Sequence, residues 1–219
     1  MEIDVIMKSL DNIKTNKKVI LPTYKITWEE FLTSFAKMAK KYTDNYIITD
    51  EIRNIVQAFY NNYLVSKEQK KGLYIAGGTG TGKTTLLNIL FDLVDFWEVK
   101  YLYSDYCYFL KPIRMKEIDI NKMYIKDGSF KYLERGALYI DDFGQNKEIN
   151  YMGNKINPLE EILLRRFDDL PQTYTFFTSN YPINHNFIKE KYGDRIFDRL
   201  QYFCYYCELK STNFRKLQT

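Results

Sequence analysis

The sequence predicts an α/β fold in which a parallel five-stranded sheet is flanked by helices, with a short helical extension at the N-terminus. Short apolar runs alternate with helical segments from residue 72 onward, a glycine-rich loop joins the first run to a helix, and two apolar stripes at helical spacing precede residue 66. Such alternation is typical of a parallel sheet. We therefore divide the chain into a helical extension, residues 1–66, which is a candidate partner-binding region, and a main domain, residues 67–219.

The extension carries the start signals of two helices. Thr27 and Glu30 form a capping-box pattern, and the helix that they start ends near residue 42. Thr49, followed by two acidic residues, starts the second helix. In both segments the apolar residues recur on one face, so we expect the two helices to be packed on, or hinged to, the main domain.

The main domain contains five apolar runs that read as strands. The predicted strands are Leu73–Ala76, Val99–Tyr103, Ala137–Ile140, Tyr174–Thr178 and Phe203–Leu209. Helices are predicted from Lys83 to about residue 97, in mixed segments between residues 105 and 134, after the N-cap residue Asn157 with Pro158 at the first helical position, and around residues 184–200.

Composition narrows the function only slightly. With 32 Lys and Arg against 28 Asp and Glu, the formal net charge of +4 permits a nucleic-acid partner without demanding one. We interpret the 37 aromatic residues mainly as core residues and as the result of AT-biased coding. No signal peptide is present, and no apolar stretch approaches the ~18 residues of a membrane span, so we expect a soluble, cytoplasmic protein with no membrane partner.

The three cysteines, together with His185, are just enough to supply four zinc ligands. Cys204 and Cys207 lie in an apolar run that reads as a buried strand, and their spacing places the two sulfurs on opposite faces of it. We therefore interpret both as core residues rather than as a zinc site or a redox pair.

The strongest motif is the run from Gly77 to Thr84, which fits the P-loop pattern and lies between a predicted strand and an amphipathic helix. Its glycines let the backbone wrap a phosphate, Lys83 is suited to neutralise the β- and γ-phosphate oxygens, and the Thr84 hydroxyl is suited to bind Mg²⁺. The predicted nucleotide-binding residues of this loop are Gly77, Gly78, Thr79, Gly80, Thr81, Gly82, Lys83, Thr84 and Thr85.

Two later strands end in polar residues that complete a hydrolytic site. Asp141 and Asp142 follow the apolar run Ala137–Ile140; Asp141 is expected to hold Mg²⁺, and Asp142 to orient or deprotonate the attacking water. Asn180 follows another strand and is placed to hold that water or the γ-phosphate, provided that its strand lies between the P-loop strand and the Asp141 strand. Because the guanine-reading sequence Asn-Lys-x-Asp is absent, we expect ATP.

These segments together resemble the AAA+ ATPases, and within them the DnaC/DnaI helicase loaders and the related IstB-type transposition helper ATPases. The matching segments are residues 77–84, 138–144, 178–180 and 192–200. The resemblance identifies Lys83 and Thr84 as Walker A residues, Asp141 and Asp142 as Walker B and Asn180 as sensor 1. The second Walker B acid is Asp where most AAA+ proteins have Glu, a departure that the loader group tolerates.

The resemblance also implies roles for arginines. Arg199 resembles the arginine finger that acts on ATP held by a neighbouring subunit, which implies a homo-oligomer, and Arg195 is the alternative for that role. Arg215 weakly resembles the sensor 2 arginine. The chain has 24 Lys but only 8 Arg, and arginine provides planar, bidentate recognition of phosphate. A salt-bridged surface role for Arg195 and Arg199 stays open.

Only ten residues follow Leu209, so the sequence predicts an AAA+ domain without a C-terminal lid. The resemblance therefore implies an ATPase that loads a replicative helicase on single-stranded DNA during DNA replication. The basic residues considered for DNA-phosphate contact are Lys111, Arg114, Lys116, Lys122, Lys126 and Lys131. The alternatives are an IstB-like transposition helper on duplex DNA and a P-loop phosphotransferase.

Overall fold

The computed structural model describes residues 26–66, 71–101, 112–127, 131–134, 136–145, 148–168 and 173–210. Its α-helices are α1 Trp28–Tyr42, α2 Asp50–Phe59, α3 Lys83–Tyr101, α4 Glu117–Asp127, α5 Pro158–Asp168 and α6 Asn186–Phe203. Its strands are β1 Gly72–Gly77, β2 Ile113–Lys116, β3 Gly136–Phe143, β4 Ile149–Tyr151, β5 Asn154–Ile156, β6 Thr173–Ser179 and β7 Cys204–Leu209. A π-helical turn, Tyr60–Leu64, follows α2, and a 3₁₀ turn, Lys131–Leu133, follows α4.

The main sheet has the strand order β2-β3-β6-β1-β7, and its strands run parallel to one another. The predicted α/β fold with a parallel five-stranded sheet flanked by helices is therefore confirmed. The order places β6 between β1 and β3, which is the condition on which the predicted role of Asn180 depends. A small antiparallel hairpin of β4 and β5, which the sequence did not predict, follows β3.

The prediction of a strand at Val99–Tyr103 is wrong. Helix α3 continues to Tyr101, and residues 102–103 lie outside the described residues. The strand that pairs with β3 is instead Ile113–Lys116, inside the segment predicted as mixed helical. Its side chains are mostly exposed, so it shows no apolar run that would distinguish it from a helix or a loop.

Both predicted start signals of the extension are confirmed. The Thr27 N–H donates to Glu30 Oε2 at 2.9 Å, and the Glu30 N–H donates to Thr27 Oγ1 at 3.3 Å, which is a complete capping box. The Thr49 hydroxyl oxygen accepts from the Ile52 N–H at 3.3 Å at the start of α2. The side chains that form the apolar stripes of both helices are buried: Phe31, Phe35, Met38, Ile52, Ile55, Val56 and Phe59.

The apolar faces of α1 and α2 pack in the same hydrophobic cluster as one face of the main sheet. The Phe59 ring lies 6.0 Å from Phe91 of α3 and 5.9 Å from Phe176 of β6. Tyr63, in the π-helical turn, lies 4.8 Å from the Phe176 ring. Aromatic packing at this density explains much of the aromatic content as core residues.

The opposite face of the sheet is covered by α4, α5 and α6. Arg166, near the end of α5, is fully buried there. Its Nη2 donates to Gly136 O at 2.7 Å and to Tyr174 O at 2.9 Å, and its Nε donates to Thr175 Oγ1 at 3.0 Å. Burial lowers the pKa of this guanidinium to about 9. From the sequence, Arg166 was only a basic residue near the end of a helix. In the structure its side chain joins the beginnings of β3 and β6.

Cys204 and Cys207 lie on opposite faces of β7, as their spacing predicted. Both thiols are free, and burial raises the pKa of Cys207 to about 12. Cys107 lies outside the described residues. Among the residues that the structure describes, no helix is both long enough and apolar enough to span a membrane.

Candidate nucleotide site

The loop between β1 and α3 has a backbone that only glycine accommodates easily. Gly80 and Gly82 have φ values of 82° and 87°, in the left-handed region. A Cβ atom on Gly77 would lie 2.4 Å from the carbonyl oxygen of Leu209, so β7 closes against the start of the loop. Thr81 Oγ1 donates to Gly78 O at 2.9 Å and fixes the turn. The loop is therefore shaped by its glycines, as the motif predicted.

Lys83 is the first residue of α3, and its side chain is only 7% exposed. Its ammonium group donates to Gly77 O and Gly78 O, both at 2.8 Å, and to Asn180 Oδ1 at 3.1 Å. Desolvation lowers the pKa of Lys83, and the nearby carboxylates of Asp142 and Asp141 oppose that shift. The ammonium group thus lies where the loop backbone and the end of β6 meet.

Asp141 accepts hydrogen bonds from three hydroxyl groups at a single carboxylate oxygen. Thr84, Tyr139 and Thr178 donate to Asp141 Oδ1 at 2.8, 2.7 and 2.5 Å. Thr84 belongs to α3, Tyr139 to β3 and Thr178 to β6, so these contacts tie the first turn after the loop to two strands. The structure thus brings Thr84 and Asp141, the two residues expected to hold Mg²⁺, into direct contact.

Asp142 lies in a β-bulge. Ile140 pairs with Phe177 and Phe143 pairs with Ser179, so β3 carries one residue more than β6 between these pairs. Asp142 has a φ of 58°, a left-handed conformation that costs a non-glycine residue about 1–2 kcal/mol. Its N–H donates to Thr178 Oγ1 at 3.2 Å. The bulge therefore gives two adjacent carboxylates different surroundings, since Asp141 is buried and Asp142 is partly exposed.

The structure places Arg199 and Arg195 against α5 rather than in the network of Lys83, Asn180 and Asp141. Arg199 Nη2 lies 2.6 Å from Asp168 Oδ1, and its Nη1 donates to Leu164 O at 3.3 Å. Arg195 Nη2 lies 3.3 Å from Asp168 Oδ2. Arg195 is the more exposed of the two, at 61% against 24%. Both follow Gly193, whose φ of 78° interrupts α6.

The remaining predicted residues have varied positions. Thr79 is exposed in the loop, Thr85 lies in the first turn of α3, and Arg215 lies outside the described residues. Of the basic residues considered for DNA contact, Arg114 pairs with Asp92 at 2.7 Å and Asp95 at 3.5 Å, and Lys122 pairs with Asp119 at 3.1 Å. Lys116, Lys126 and Lys131 are exposed, and Lys111 lies outside the described residues.

Sequence reasoning assigned no role to three residues at this site. Tyr139 and Thr178 lie inside the quoted motifs, and their positions two residues before Asp141 and Asn180 put them on the same strand faces as those residues. That alternation is a signal that would have found them. Glu117 begins α4, is 1% exposed, and accepts a hydrogen bond from the Gly144 N–H at 2.9 Å. Its place depends on the strand order, which the sequence does not show.

The residues present fit a magnesium nucleotide. Thr84 and Asp141 supply oxygen donors next to each other, which is the chemistry that Mg²⁺ prefers. The loop offers backbone N–H groups at the N-terminus of α3, the arrangement that binds phosphate. The site lies at the carboxyl ends of β1, β6 and β3, where open parallel sheets bind ligands.

A scan against protein-family models and a search of curated proteins found no match. Solved structures do match. The crystal structure of the DnaC helicase loader is 15% identical over 77% of this chain and 95% of that chain, with a TM-score of 0.53. A protein described as a primosome component from Streptococcus pyogenes serotype M3 is 19% identical over 83% of this chain and 97% of that chain, with a TM-score of 0.52.

The crystal structure of DnaI is 18% identical over 86% of this chain and 87% of that chain, with a TM-score of 0.45. The alignments to the DnaC loader and to the streptococcal protein span nearly the whole of both structures and show a shared fold. The resemblance is therefore confirmed at the level of the fold: the chain has an α/β fold similar to that of the DnaC helicase loader.

Proposed function

We propose that the chain is an ATP-binding and ATP-hydrolysing helicase loader of the DnaC type that acts in DNA replication. One observation carries the proposal. Hydrogen bonds from Lys83 to Asn180 and from Thr84 to Asp141 join the glycine-rich loop to the ends of two neighbouring strands. A loop that only made a tight turn would need neither contact, whereas a site that hydrolyses a nucleoside triphosphate needs all four groups.

The proposed mechanism assigns binding and hydrolysis to separate residues. The backbone N–H groups of residues 77–84 hold the phosphates, and Lys83 neutralises the β- and γ-phosphate oxygens. Thr84 and Asp141 would hold Mg²⁺, and the ion would supply positive charge that offsets the charge developing on the phosphate during hydrolysis. Thr85 and, beyond the described residues, Arg215 are proposed as further nucleotide contacts.

Two residues at the strand ends are proposed to act on the attacking water. Asp142, partly exposed at the bulge, orients it or accepts its proton, and Asn180 holds it or a γ-phosphate oxygen. Arg199 contacts α5 of its own chain and lies outside that chain's network of Lys83, Asn180 and Asp141. We therefore assign it to ATP held by a neighbouring subunit. Hydrolysis would therefore require a homo-oligomer.

The proposed partners are a replicative helicase and single-stranded DNA. The DnaC structure that shares this fold is that of a helicase loader, which supports the first partner. The exposed side chains of Lys116, Lys126 and Lys131 are the proposed DNA-phosphate contacts, since Arg114 and Lys122 already pair with carboxylates. Residues 1–66 are proposed to bind the helicase through the exposed faces of α1 and α2.

The helicase proposal is best tested in the full chain, because deleting the extension would remove Phe59 and Tyr63 from the shared core. Helicase is captured on immobilised protein, and charge reversal at the exposed Lys37 of α1 is compared with reversal at Lys155 of the β4–β5 hairpin. The proposal is supported if Lys37→Glu abolishes capture and Lys155→Glu does not. Capture of a transposase instead of a helicase favours the transposition helper.

DNA preference separates the same two functions by an independent route. Single-stranded and duplex DNA are titrated over a range of salt concentrations, because phosphate contacts make the affinity fall steeply with salt. A loader is expected to prefer single strands, and a transposition helper is expected to prefer duplex. Phosphate release from ATP without an added acceptor argues against a phosphotransferase.

A further inference from the structure

The turn that follows Asp142 is held by side chains from two other elements. The Gly144 N–H donates to Glu117 Oε2 at 2.9 Å, and the Gly144 carbonyl oxygen accepts from Lys191 Nζ at 2.7 Å. Gly144 has a φ of 101°, and a Cβ atom there would lie 2.9 Å from the Tyr181 ring. Both polar groups of this residue are thus fixed from outside β3. We refer to Glu117, Lys191 and Tyr192 as the Gly144 clamp.

Glu117 and Tyr192 are also joined to each other. The Tyr192 hydroxyl donates to Glu117 Oε1, and both side chains are buried. The Tyr192 ring stacks on Phe143, with ring centres 4.6 Å apart and an interplanar angle of 15°. Burial lowers the pKa of Lys191, and the Glu117 carboxylate opposes that shift. Burying a carboxylate costs free energy because the charge loses its contact with water, and an apolar side chain would fill the same space without that cost.

The clamp acts on the segment in which strain is stored. Asp142 has its left-handed backbone two residues before Gly144, and its carbonyl oxygen accepts from the Gln145 N–H at 3.3 Å. Between them, the Phe143 carbonyl oxygen accepts from Ser179 Oγ at 2.7 Å. A non-glycine residue keeps such a conformation only where its surroundings over-determine it, and here those surroundings are Thr178, Ser179 and the clamp.

We propose that Glu117 is a positioning residue for ATP hydrolysis: by holding Gly144, with Tyr192 as its partner, it keeps Asp142 in the conformation that acts on the attacking water. The inference rests on the proposed function, because it concerns how the hydrolytic carboxylate is held. Glu117 reaches the site from α4, and Lys191 and Tyr192 reach it from α6, three to eight positions before Arg195 and Arg199. The clamp therefore ties the turn after Asp142 to the helix that carries both arginines.

The test uses the full chain and two pairs of matched variants. Glu117→Gln keeps the size of the side chain, and Tyr192→Phe keeps the ring on Phe143 while removing only the hydroxyl. The control Asp119→Asn removes a carboxylate from the same turn of α4, where it pairs with exposed Lys122. The control Tyr174→Phe removes the hydroxyl of a buried tyrosine on the other face of the sheet.

In steady-state ATP hydrolysis, the two variants of the clamp are expected to change kcat but not KM. Glu117→Gln and Tyr192→Phe should lower kcat about tenfold or more with a change of less than about threefold in KM for ATP, and the controls should stay within about twofold of wild type. In an Asp142→Asn background, measured by single turnover, Glu117→Gln should add less than about twofold, because both changes act at one carboxylate. Unchanged kcat in the folded single variants, or losses that multiply in the double variant, would overturn the proposal.

A second readout does not depend on activity. Hydrogen exchange at the Gly144 amide should be at least about tenfold faster in Glu117→Gln than in wild type, and unchanged in Asp119→Asn. Equal exchange in all three proteins overturns the clamp. If the wild type does not exceed Lys83→Ala in hydrolysis, the proposed function fails, and the exchange result alone decides whether Glu117 holds the turn.

Discussion

Lys83 and Asn180, 97 positions apart in the sequence, are joined by a hydrogen bond of 3.1 Å from the lysine ammonium group to the side-chain amide oxygen of the asparagine. The contact exists because β6 lies directly beside β1 in the sheet, so the residue after β6 reaches the start of α3. It brings an ammonium group and an uncharged amide to one point. That pairing is the geometric basis for our proposal that this site hydrolyses a nucleotide as well as binding it.

The first prediction concerns the amide of that pair. Asn180→Ala should lower kcat for ATP hydrolysis about 10²-fold, the usual effect of removing one polar group that stabilises a transition state. Affinity for ATP should change little, because the loop and Lys83 remain in place. Asn184→Ala, an exposed asparagine in the next turn, serves as the control. Equal activity of Asn180→Ala and wild type would remove Asn180 from the mechanism.

The second prediction concerns Arg199, the arginine that we propose acts between subunits. Arg199→Ala should lower turnover about 10³-fold or more while sparing ATP binding, whereas Arg195→Ala should have a smaller effect. Because the proposed finger acts in trans, mixing Arg199→Ala with Lys83→Ala protein should restore hydrolysis at interfaces that combine an intact site with an intact Arg199. A mixture that stays as inactive as its two components would contradict a role in trans.

The third prediction concerns Arg166, whose guanidinium bonds to the first residues of β3 and to β6. Arg166→Ala should lower the free energy of unfolding by about 3–5 kcal/mol, because it leaves buried carbonyl groups without their donors. Arg166→Lys should not restore it, since an ammonium group cannot span the same fork of acceptors. Denaturant unfolding measures both, with the exposed Arg165→Lys as the control.

The fourth prediction tests how the extension contributes to stability. Phe59→Ala should cost about 3–5 kcal/mol in the free energy of unfolding, because the ring is fully buried against Phe91 and Phe176. Asn61→Ala, exposed in the next turn, should change stability by less than about 0.5 kcal/mol. A single unfolding transition that shifts with Phe59→Ala supports a shared core, and an unshifted main transition argues against it.

The sequence predicted the strands that consist mainly of consecutive apolar residues, including β7 although several of its side chains are exposed, and missed β2, in which apolar and basic residues alternate. β1, β3 and β6 are apolar runs because helices cover both sides of the sheet, whereas β2 has mostly exposed side chains. The hairpin of β4 and β5 was missed for a similar reason, since its three-residue strands are too short to show a period.

Among the residues of the candidate site, the sequence likewise predicted those that lie in a local pattern and missed one that does not. Lys83, Thr84, Asp141 and Asn180 were predicted because each lies in a local pattern of loop or strand end, and their meeting needed only the strand order. Glu117 was not predicted, because its partners Gly144 and Tyr192 are 27 and 75 positions away and nothing in its own neighbourhood marks it. Such contacts form only when elements far apart in the sequence pack together, so no local pattern predicts them.

Phosphate release from ATP by wild type and by Lys83→Ala is the most direct test of the central claim. The account predicts release by the wild type and a loss of about 10²-fold or more in Lys83→Ala, because the substitution removes the ammonium group held by the loop and Asn180. Lys71→Ala, an exposed lysine before β1, should match wild type. Hydrolysis that persists in folded Lys83→Ala protein would contradict the account.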